Sequence, residues 1–175
     1  SDLHDRKPKL GVFYDNSNMF YIQKQVGWKV DLAKFRKELN DYFDVKFINF
    51  YSAIPDKSDP AYHSTAGYLE KIKNTVTLKT KPLKYIEIAK DKYEKKGDMD
   101  VDLTLDAVYE AKNLDALVVV SGDSDLAALR DRVLRETGKG FVFLGFKRGM
   151  AWELKQGKYI EFDKVRDSLQ LGGAE

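Results

Sequence analysis

The sequence predicts one α/β domain of Rossmann-like type, in which a central, mainly parallel sheet of five to six strands carries helices on both faces. Two observations lead to this fold class. Short segments that are apolar throughout, as strands buried on both faces are, alternate with longer amphipathic segments. The chain has 175 residues, 43% of them hydrophobic, which is enough for one core. We therefore expect a single domain at residues 9–167, with disordered tails at 1–8 and 168–175.

The first half of the chain alternates two strands with two helices. Residues 10–15 (LGVFYD) form an apolar run that ends in an aspartate, as a buried strand can. Residues 31–43 place apolar side chains at helical spacing behind Asp31, a favourable N-cap. Residues 45–53 return to strand alternation, and residues 59–74 begin with Asp-Pro, a favourable helix start.

The second half continues the same alternation. A short strand at residues 84–88 follows the break at Pro82, and helical spacing resumes at 99–113. The remaining predicted elements are a strand at 116–121, a helix at 124–136, a strand at 141–146, a short helix at 149–157 and a last strand at 159–162.

The amino-acid composition excludes several kinds of site. The chain has no cysteine, which removes disulfides, thiol catalysis and cysteine-bound zinc, and its two histidines disfavour a histidine-based triad. No segment approaches 18 uncharged apolar residues, and no signal peptide is visible, so we expect a cytoplasmic protein without membrane contact. Oxygen ligands would hold any metal, which favours Mg²⁺, Mn²⁺ or Ca²⁺.

Charge is distributed unevenly along the chain, whose formal net charge is only +2. Residues 69–97 hold nine lysines and four acids, residues 98–125 hold eight acids and one lysine, and residues 126–166 hold ten basic and five acidic side chains. Such alternation is common on solvated surfaces without functional meaning. It also fits an acidic site flanked by basic surface, as expected of a metal-dependent enzyme that acts on phosphates.

Aspartates follow two strands at the same predicted edge of the sheet. Asp15 ends the first strand, and Asp123 and Asp125 come just after the strand at 116–121. Ligands of open parallel sheets bind at the carboxyl ends of the strands, near the point where the strand order reverses. If these two strands are neighbours, the three carboxylates meet at one edge of the sheet.

The helix at 99–113 adds a fourth carboxylate. The apolar stripe that we expect to face the core consists of Val101, Leu105 and Val108. On the helical wheel, Asp100 falls in the inward sector with Ala107 and Ala111, at the first turn, whereas Asp106 points toward water.

Each aspartate alone has an ordinary explanation as a helix cap, a turn residue or part of a solvated face. Four of them at one edge are harder to explain in this way, because crowded carboxylates repel one another unless a cation is bound. We therefore predict one or two Mg²⁺ or Mn²⁺ ions held by the catalytic residues Asp15, Asp100, Asp123 and Asp125, a site suited to phosphodiester hydrolysis.

Three polar residues stand beside these ligands in the sequence. Ser17 and Ser121 offer hydroxyls to a scissile phosphate or to water at the metal, and each is equally an ordinary turn residue. Asn18 has the position to orient the Asp15 carboxylate, or to cap the helix that follows.

Three segments in this order resemble the NYN domains, the LabA-like branch of the PIN-domain nuclease superfamily. They are VFYDNSNMF near the start, KKGDMDVDLTLDA in the middle and VVVSGDSDLAAL after it. The resemblance spans about residues 9–165, and the combination of three motifs is far more specific than any one of them. It implies a PIN-like fold with an acidic pocket, and a Mg²⁺- or Mn²⁺-dependent ribonuclease that acts on RNA, most readily single-stranded.

Matching residues carry the family roles onto this chain. Asp15 and Asn18 match the first motif, and Ser121, Asp123 and Asp125 match the last without departure.

The middle motif departs from the family pattern. The family has Lys-Gly-x-Asp, and here Lys96-Gly97 is followed by Asp98 at once or by Asp100 after two residues. The resemblance leaves the choice open, and the helix-face argument favours Asp100. Asp106 fits a second acid on this helix and is assigned a supporting role.

Candidate substrate contacts lie near the same edge. Lys147 and Arg148 follow the strand at 141–146, next to a helix start that favours phosphate. Tyr21 is placed to stack on an unpaired base, whereas we expect Phe20 to pack in the core. Ser17 and Lys96 complete the predicted substrate-binding set, although lysines are commonly plain surface residues.

Other functions fit parts of the pattern. Haloacid-dehalogenase-like phosphatases also begin with a first-strand aspartate, but their second acid falls at Ser17 here, which cannot donate the required proton. A metal-dependent adhesion module would lack its third ligand in DNSN. An NYN domain that binds RNA without cutting it remains an alternative, and a homodimer or further domains in a longer chain are also open.

Overall fold

Six strands form one sheet, and every pairing within it is parallel. A computed structural model describes residues 6–172, so residues 1–5 and 173–175 of the predicted tails lie outside the described residues. The strands of this sheet are β1 (Lys9–Asp15), β2 (Asp44–Ile54), β3 (Thr77–Pro82), β6 (Ala116–Val120), β7 (Gly140–Gly145) and β8 (Tyr159–Glu161). Their spatial order is β3-β2-β1-β6-β7-β8. The other two strands, β4 (Lys84–Ala89) and β5 (Lys92–Lys96), pair with each other as an antiparallel hairpin.

Helices cover both faces of the sheet. They are α1 (Asn16–Val26), α2 (Leu32–Asn40), α3 (Tyr62–Ile72), α4 (Asp100–Glu110), α5 (Ala127–Thr137) and the short α6 (Arg166–Leu169). Alternate residues of the buried strands supply two separate cores: Val12 and Tyr14 pack in the layer of α1, α2 and α3, whereas Phe13 packs in the layer of α4 and α5. The predicted fold class is therefore confirmed.

The region between α3 and α4 differs from the prediction. Residues 84–88 do form a strand, but it pairs with β5 outside the main sheet. The main sheet instead gains β3, which sequence reasoning missed. The reason is composition, because β3 (TLKTKP) is an edge strand whose lysines hide the apolar pattern of a buried strand.

Helix α4 faces the sheet with a different side from the one predicted. Val101 and Leu105 are 71% and 65% exposed, and Val108 is exposed as well. The buried side consists of Leu103 and Ala107. A helical wheel gives the angles between side chains, but the packing surface decides which sector is inward, and small residues let α4 approach the sheet.

The chain end packs on the domain further than predicted. Leu169, in the expected tail, is buried, and its carbonyl accepts a hydrogen bond from the Asp31 N–H at 2.7 Å. The Leu171 N–H donates to the Lys29 carbonyl at 2.8 Å. The expected disorder is therefore wrong for these residues. Separately, no helix within residues 6–172 is long and apolar enough to cross a membrane.

Candidate metal centre and nucleic-acid cleft

The order of the parallel strands reverses between β1 and β6, and the candidate site lies at this point. β1 continues toward β2 on one side, while β6 continues toward β7 on the other. The loops that leave such a switch point diverge and leave a crevice at the carboxyl ends of the strands. Asp15 ends β1, and the segment from Ser121 to Asp125 follows β6. The predicted neighbours are thus adjacent.

Three carboxylates meet at this edge. Oxygen atoms of Asp100, Asp123 and Asp125 all lie within 4.8 Å of one another. Asp100 is the first residue of α4, so the helix start brings it to the loop after β6. Within residues 6–172, Asp100 Oδ2 is a buried side-chain oxygen that has no hydrogen-bond partner. An oxygen of this kind, in a set of carboxylates only, fits a hard divalent cation.

The crowding changes the ionisation of Asp100. Burial, followed by the contact with Asp123 and the charge of Asp15, raises the pKa of Asp100 from 3.8 to about 9. The carboxyl group therefore holds its proton at neutral pH unless a positive charge takes the proton's place. A cation bound to the three carboxylates would supply that charge.

Asp15 lies outside this group of three and is held differently. Its side chain is buried and accepts hydrogen bonds from the hydroxyls of Ser17 at 2.7 Å and Ser121 at 2.8 Å, and from the Asn18 N–H at 3.3 Å. Burial raises its pKa, although these hydrogen bonds partly oppose the shift and the nearby Asp123 charge adds to it. Asp15 thus caps α1 and also places negative charge near Asp100.

Ser121 and Asn18 position the loop that carries Asp123. The Ser121 hydroxyl donates to Asp15 and accepts from the Asp123 N–H at 3.1 Å, so one oxygen links two of the acids. The side-chain oxygen of Asn18 accepts a hydrogen bond from the Gly122 N–H at 2.8 Å. Asn18 therefore ties α1 to this loop through its side chain, and its backbone N–H donates to Asp15.

Replacing Ser121 by Ala should destabilise the domain and reduce its activity. The substitution removes a fully buried hydroxyl and leaves Asp15 with one donor fewer, which costs about 1–3 kcal/mol. Substitution of a residue that supports a metal ligand typically lowers activity or metal affinity 10–100-fold. Urea unfolding measures the first effect and a cleavage assay the second. Ser124→Ala is the matched control because Ser124 is exposed, and equal stability of the two variants would contradict this role of Ser121.

An open cleft of about 600 Å³ leads to the acids. Asp15, Ser17, Asn18, Asp98, Asp100 and Asp123 line it at its acidic end. Phe20 and Tyr21 of α1 line it farther out, with side chains 40% and 63% exposed. The expectation that Phe20 packs in the core is therefore wrong, and the side chain of Tyr21 is exposed at the same cleft.

Two further aspartates of the sequence prediction, Asp98 and Asp106, make contacts that position α4. Asp98 is exposed and accepts a hydrogen bond at 2.7 Å from the N–H of Asp100, the first residue of α4. Asp106 accepts from the Tyr51 hydroxyl at 2.7 Å and connects α4 to β2. It is half-buried, although the wheel placed it in water. Its contact supports the position of the helix.

The predicted basic contacts stand outside the cleft. Lys147 and Arg148 are exposed, and Arg148 donates to the Gln25 side chain at 3.1 Å. Lys96 is exposed, and among the described residues it is its neighbour Lys95 that lines the cleft. Successive residues of a strand point to opposite sides, which explains why only one of the two faces the cleft.

Sequence reasoning missed Asp59, which lies in the cleft wall. Its carboxylate accepts hydrogen bonds from the Ala61 N–H at 2.9 Å and from the Tyr85 hydroxyl at 2.8 Å, and it forms an ion pair with Lys95 at 2.8 Å. In the sequence, Asp59-Pro60 predicts a helix cap and nothing more. Its long-range partners become visible only in the folded chain.

Comparison with known proteins agrees with this geometry. The NYN domain family model matches residues 9–163. The low amplitude and bright protein LabA of Synechococcus elongatus is 23% identical over 172 residues, which cover 94% of this chain and 89% of that protein.

A solved structure resembles the fold. A protein of unknown function from Vibrio parahaemolyticus superposes with a TM-score of 0.75 at 22% sequence identity, over 95% of this chain and 98% of that one. The family match covers both strand ends and the helix that carry the acidic residues. The chain therefore belongs to the NYN domain family, a family of nuclease type.

Proposed function

We propose that this protein is a metal-dependent nuclease that hydrolyses phosphodiester bonds of single-stranded RNA, using Mg²⁺ or Mn²⁺ held by Asp100, Asp123 and Asp125. The observation that carries the proposal is the partnerless, buried Asp100 Oδ2 within a group of three carboxylates. Because the pKa of Asp100 is raised, this carboxylate needs a nearby cation to be ionised at neutral pH. Membership of a nuclease-type family supports the same chemistry.

The acidic and hydroxyl side chains of the site have different roles in the proposed reaction. A bound divalent cation would stabilise negative charge that develops on a phosphodiester and make hydroxide available near neutral pH. Asp100, Asp123 and Asp125 hold that cation. Asp15 adds negative charge next to them, and Ser17 and Ser121 keep its carboxylate in place.

The shape of the cleft favours a single strand as the substrate. Exposed aromatic residues at its outer part offer surfaces on which unpaired bases stack without sequence preference. The lysine-rich segment at residues 69–97 supplies positive charge for the phosphates of the strand. RNA is thus the partner that we propose, and the cytoplasm the location.

A cleavage assay with a labelled single-stranded RNA tests the proposal. We expect cleavage with Mn²⁺ or Mg²⁺ and no cleavage with EDTA. The Asp123→Asn variant should cleave at least about 100-fold more slowly, because substitution of residues that only support metal ligands already lowers activity 10–100-fold. Asp41→Asn is the matched control because Asp41 is exposed at the end of α2. Metal-independent cleavage, or equal rates for both variants, would contradict the mechanism.

Two further results distinguish the alternatives. RNA binding without cleavage under all of these conditions would favour a binding module. Turnover of a phosphomonoester with covalent labelling of Asp15 would favour a phosphatase.

A further inference from the structure

The β4–β5 hairpin is a surface element that the metal centre does not use. All of its side chains are exposed, yet they include Ile86, Ile88 and Tyr93, with 43%, 63% and 59% of their surface accessible. An isolated two-stranded hairpin is marginally stable in water. Its position must therefore come from contacts with the rest of the domain.

Asp59 provides this attachment at one side of the hairpin. Its carboxylate binds the Tyr85 hydroxyl of β4 and the Lys95 ammonium of β5, each at 2.8 Å, so both strands are tied to the same group. The Tyr85 oxygen also accepts a hydrogen bond from the Asp56 N–H at 2.9 Å. These contacts hold the pKa of Asp59 down at about 2, chiefly through Lys95. The hairpin is thus fixed beside the cleft.

The register of the hairpin shows which side chains share the attached face. Tyr85 lies opposite Lys95, and Glu87 lies opposite Tyr93. Residues directly opposite each other, and residues two apart on one strand, lie on the same face. Lys95 lines the cleft. Tyr93 therefore lies on the same face of the hairpin as Lys95, two residues farther from its base and beyond the residues that line the cleft.

The opposite wall of the cleft is formed by α1. Phe20, Tyr21 and Lys24 line it, and Lys24 Nζ lies 4.2 Å from the centre of the Phe20 ring. Tyr21 from this wall and Lys95 from the hairpin line the same cleft. Aromatic rings and lysines thus face the same space from both sides.

We infer that the β4–β5 hairpin is the second wall of a cleft for single-stranded nucleic acid, in which Tyr93 stacks on a base across from Tyr21 and Phe20. The inference rests on the proposed function, because it concerns the strand that would enter the same site. Stacking on exposed rings between two walls admits unpaired bases and excludes a duplex.

Charge favours a polyanion over a protein partner at this hairpin. Lys84 and Lys96 lie directly opposite each other, an unfavourable pair unless negative charge is brought to it. Within residues 6–172, neither has a carboxylate within 4.0 Å of its ammonium group. A nucleic-acid backbone that leaves the cleft past the base of the hairpin would compensate these charges.

Binding of a fluorescent 12-nucleotide oligouridine, measured by anisotropy in EDTA so that no cleavage occurs, tests the inference. We expect Tyr93→Ala to weaken binding at least about fivefold, the lower end of the loss of one base–aromatic stack. The matched control is Tyr42→Ala, since Tyr42 is 72% exposed and lies in the loop between α2 and β2, outside the hairpin. A duplex of the same length should bind the wild-type protein more weakly than the single strand.

The possible outcomes separate the two proposals. Equal Kd values for Tyr93→Ala and Tyr42→Ala would overturn the inference, even if the wild-type protein cuts RNA. Loss of self-association in Tyr93→Ala, with unchanged RNA binding, would also overturn it and assign the hairpin to a protein interface. Weakened binding by Tyr93→Ala in a protein that never cuts RNA would support the hairpin as a wall while refuting the nuclease.

Discussion

Asp100→Asn is expected to abolish cleavage and, in metal-free buffer, to stabilise the fold. The substitution removes one of three clustered carboxylates, and loss of a metal ligand should slow cleavage by at least about 100-fold. Without metal, the same carboxylate is a liability, because burial and its acidic neighbours disfavour its charge. Activity and stability should therefore change in opposite directions, as is common for residues of active sites.

The pH dependence of this effect has a definite sign. The pKa of Asp100 is about 9 in the folded chain and near 3.8 in the unfolded chain, so between these values the folded state holds a proton that the unfolded state has lost. Asp100 consequently lowers the free energy of unfolding as pH rises from about 4 to about 9. We expect Asp100→Asn to unfold at a temperature at least about 2–4 °C above wild type at pH 8.5, which corresponds to roughly 1 kcal/mol, and closer to wild type at pH 5.

Thermal melts in EDTA and in Mg²⁺ measure this prediction. The matched control is Asp102→Asn, on the same helix, where the exposed carboxylate forms an ion pair with Lys81 at 3.4 Å. An exposed pair of this kind contributes about 0–1 kcal/mol, so this variant should melt at or slightly below the wild-type temperature. A lower melting temperature for Asp100→Asn in EDTA at high pH would contradict the electrostatic account.

Gly122→Ala is expected to be the more damaging of two glycine substitutions in this chain. A Cβ atom at Gly122 would lie 2.2 Å from the Gly149 carbonyl oxygen and 3.2 Å from the Met150 Cα atom. Both are backbone atoms, and the Gly122 carbonyl also accepts the Ala151 N–H at 3.0 Å, so neither loop moves without loss of contacts. The cost should be about 2–3 kcal/mol, at the upper end for an inserted methyl group.

The displaced loop also carries Asp123, so cleavage should fall with stability. Gly67→Ala is the matched control, because a Cβ atom at this helical position in α3 meets nothing within 4 Å. That variant should be neutral or more stable by about 0.5–1 kcal/mol. Urea unfolding of both proteins, with RNA cleavage measured in parallel, checks the prediction, and equal stability would show that the contact with Gly149 is easily relieved.

Local sequence signals were sufficient wherever neighbouring residues decide the structure. Asp31 and Asp123 each accept a hydrogen bond from the N–H groups of the helix that follows, so their capping positions were readable without the fold. The cap of α1 is Asp15 and not Asn18, the residue that the sequence offered for it. The alternation of buried strands with helices likewise predicted the parallel sheet. The resemblance to NYN domains added the acidic residues in their order along the chain.

Local sequence signals failed to predict structure that depends on packing against residues distant in the chain. The lysines of β3 concealed an edge strand, and the apolar stripe of α4 through Val101 and Leu105 faces outward. The sequence also could not link Asp59 to Tyr85 and Lys95, because these contacts span 26 and 36 residues and involve a hairpin outside the main sheet.

Spacing along the chain was enough to predict the fold class, the helix caps at Asp31 and Asp123, and the set of acidic residues. Tertiary structure decided which acids meet. The strand order reverses between β1 and β6, and α4 packs on the sheet through Leu103 and Ala107. Together these features bring Asp100 close to Asp123 and Asp125. Asp15 lies outside this group and accepts a hydrogen bond from Ser17. Distances between side chains a hundred residues apart are set by the packing of layers, and no local pattern contains that information.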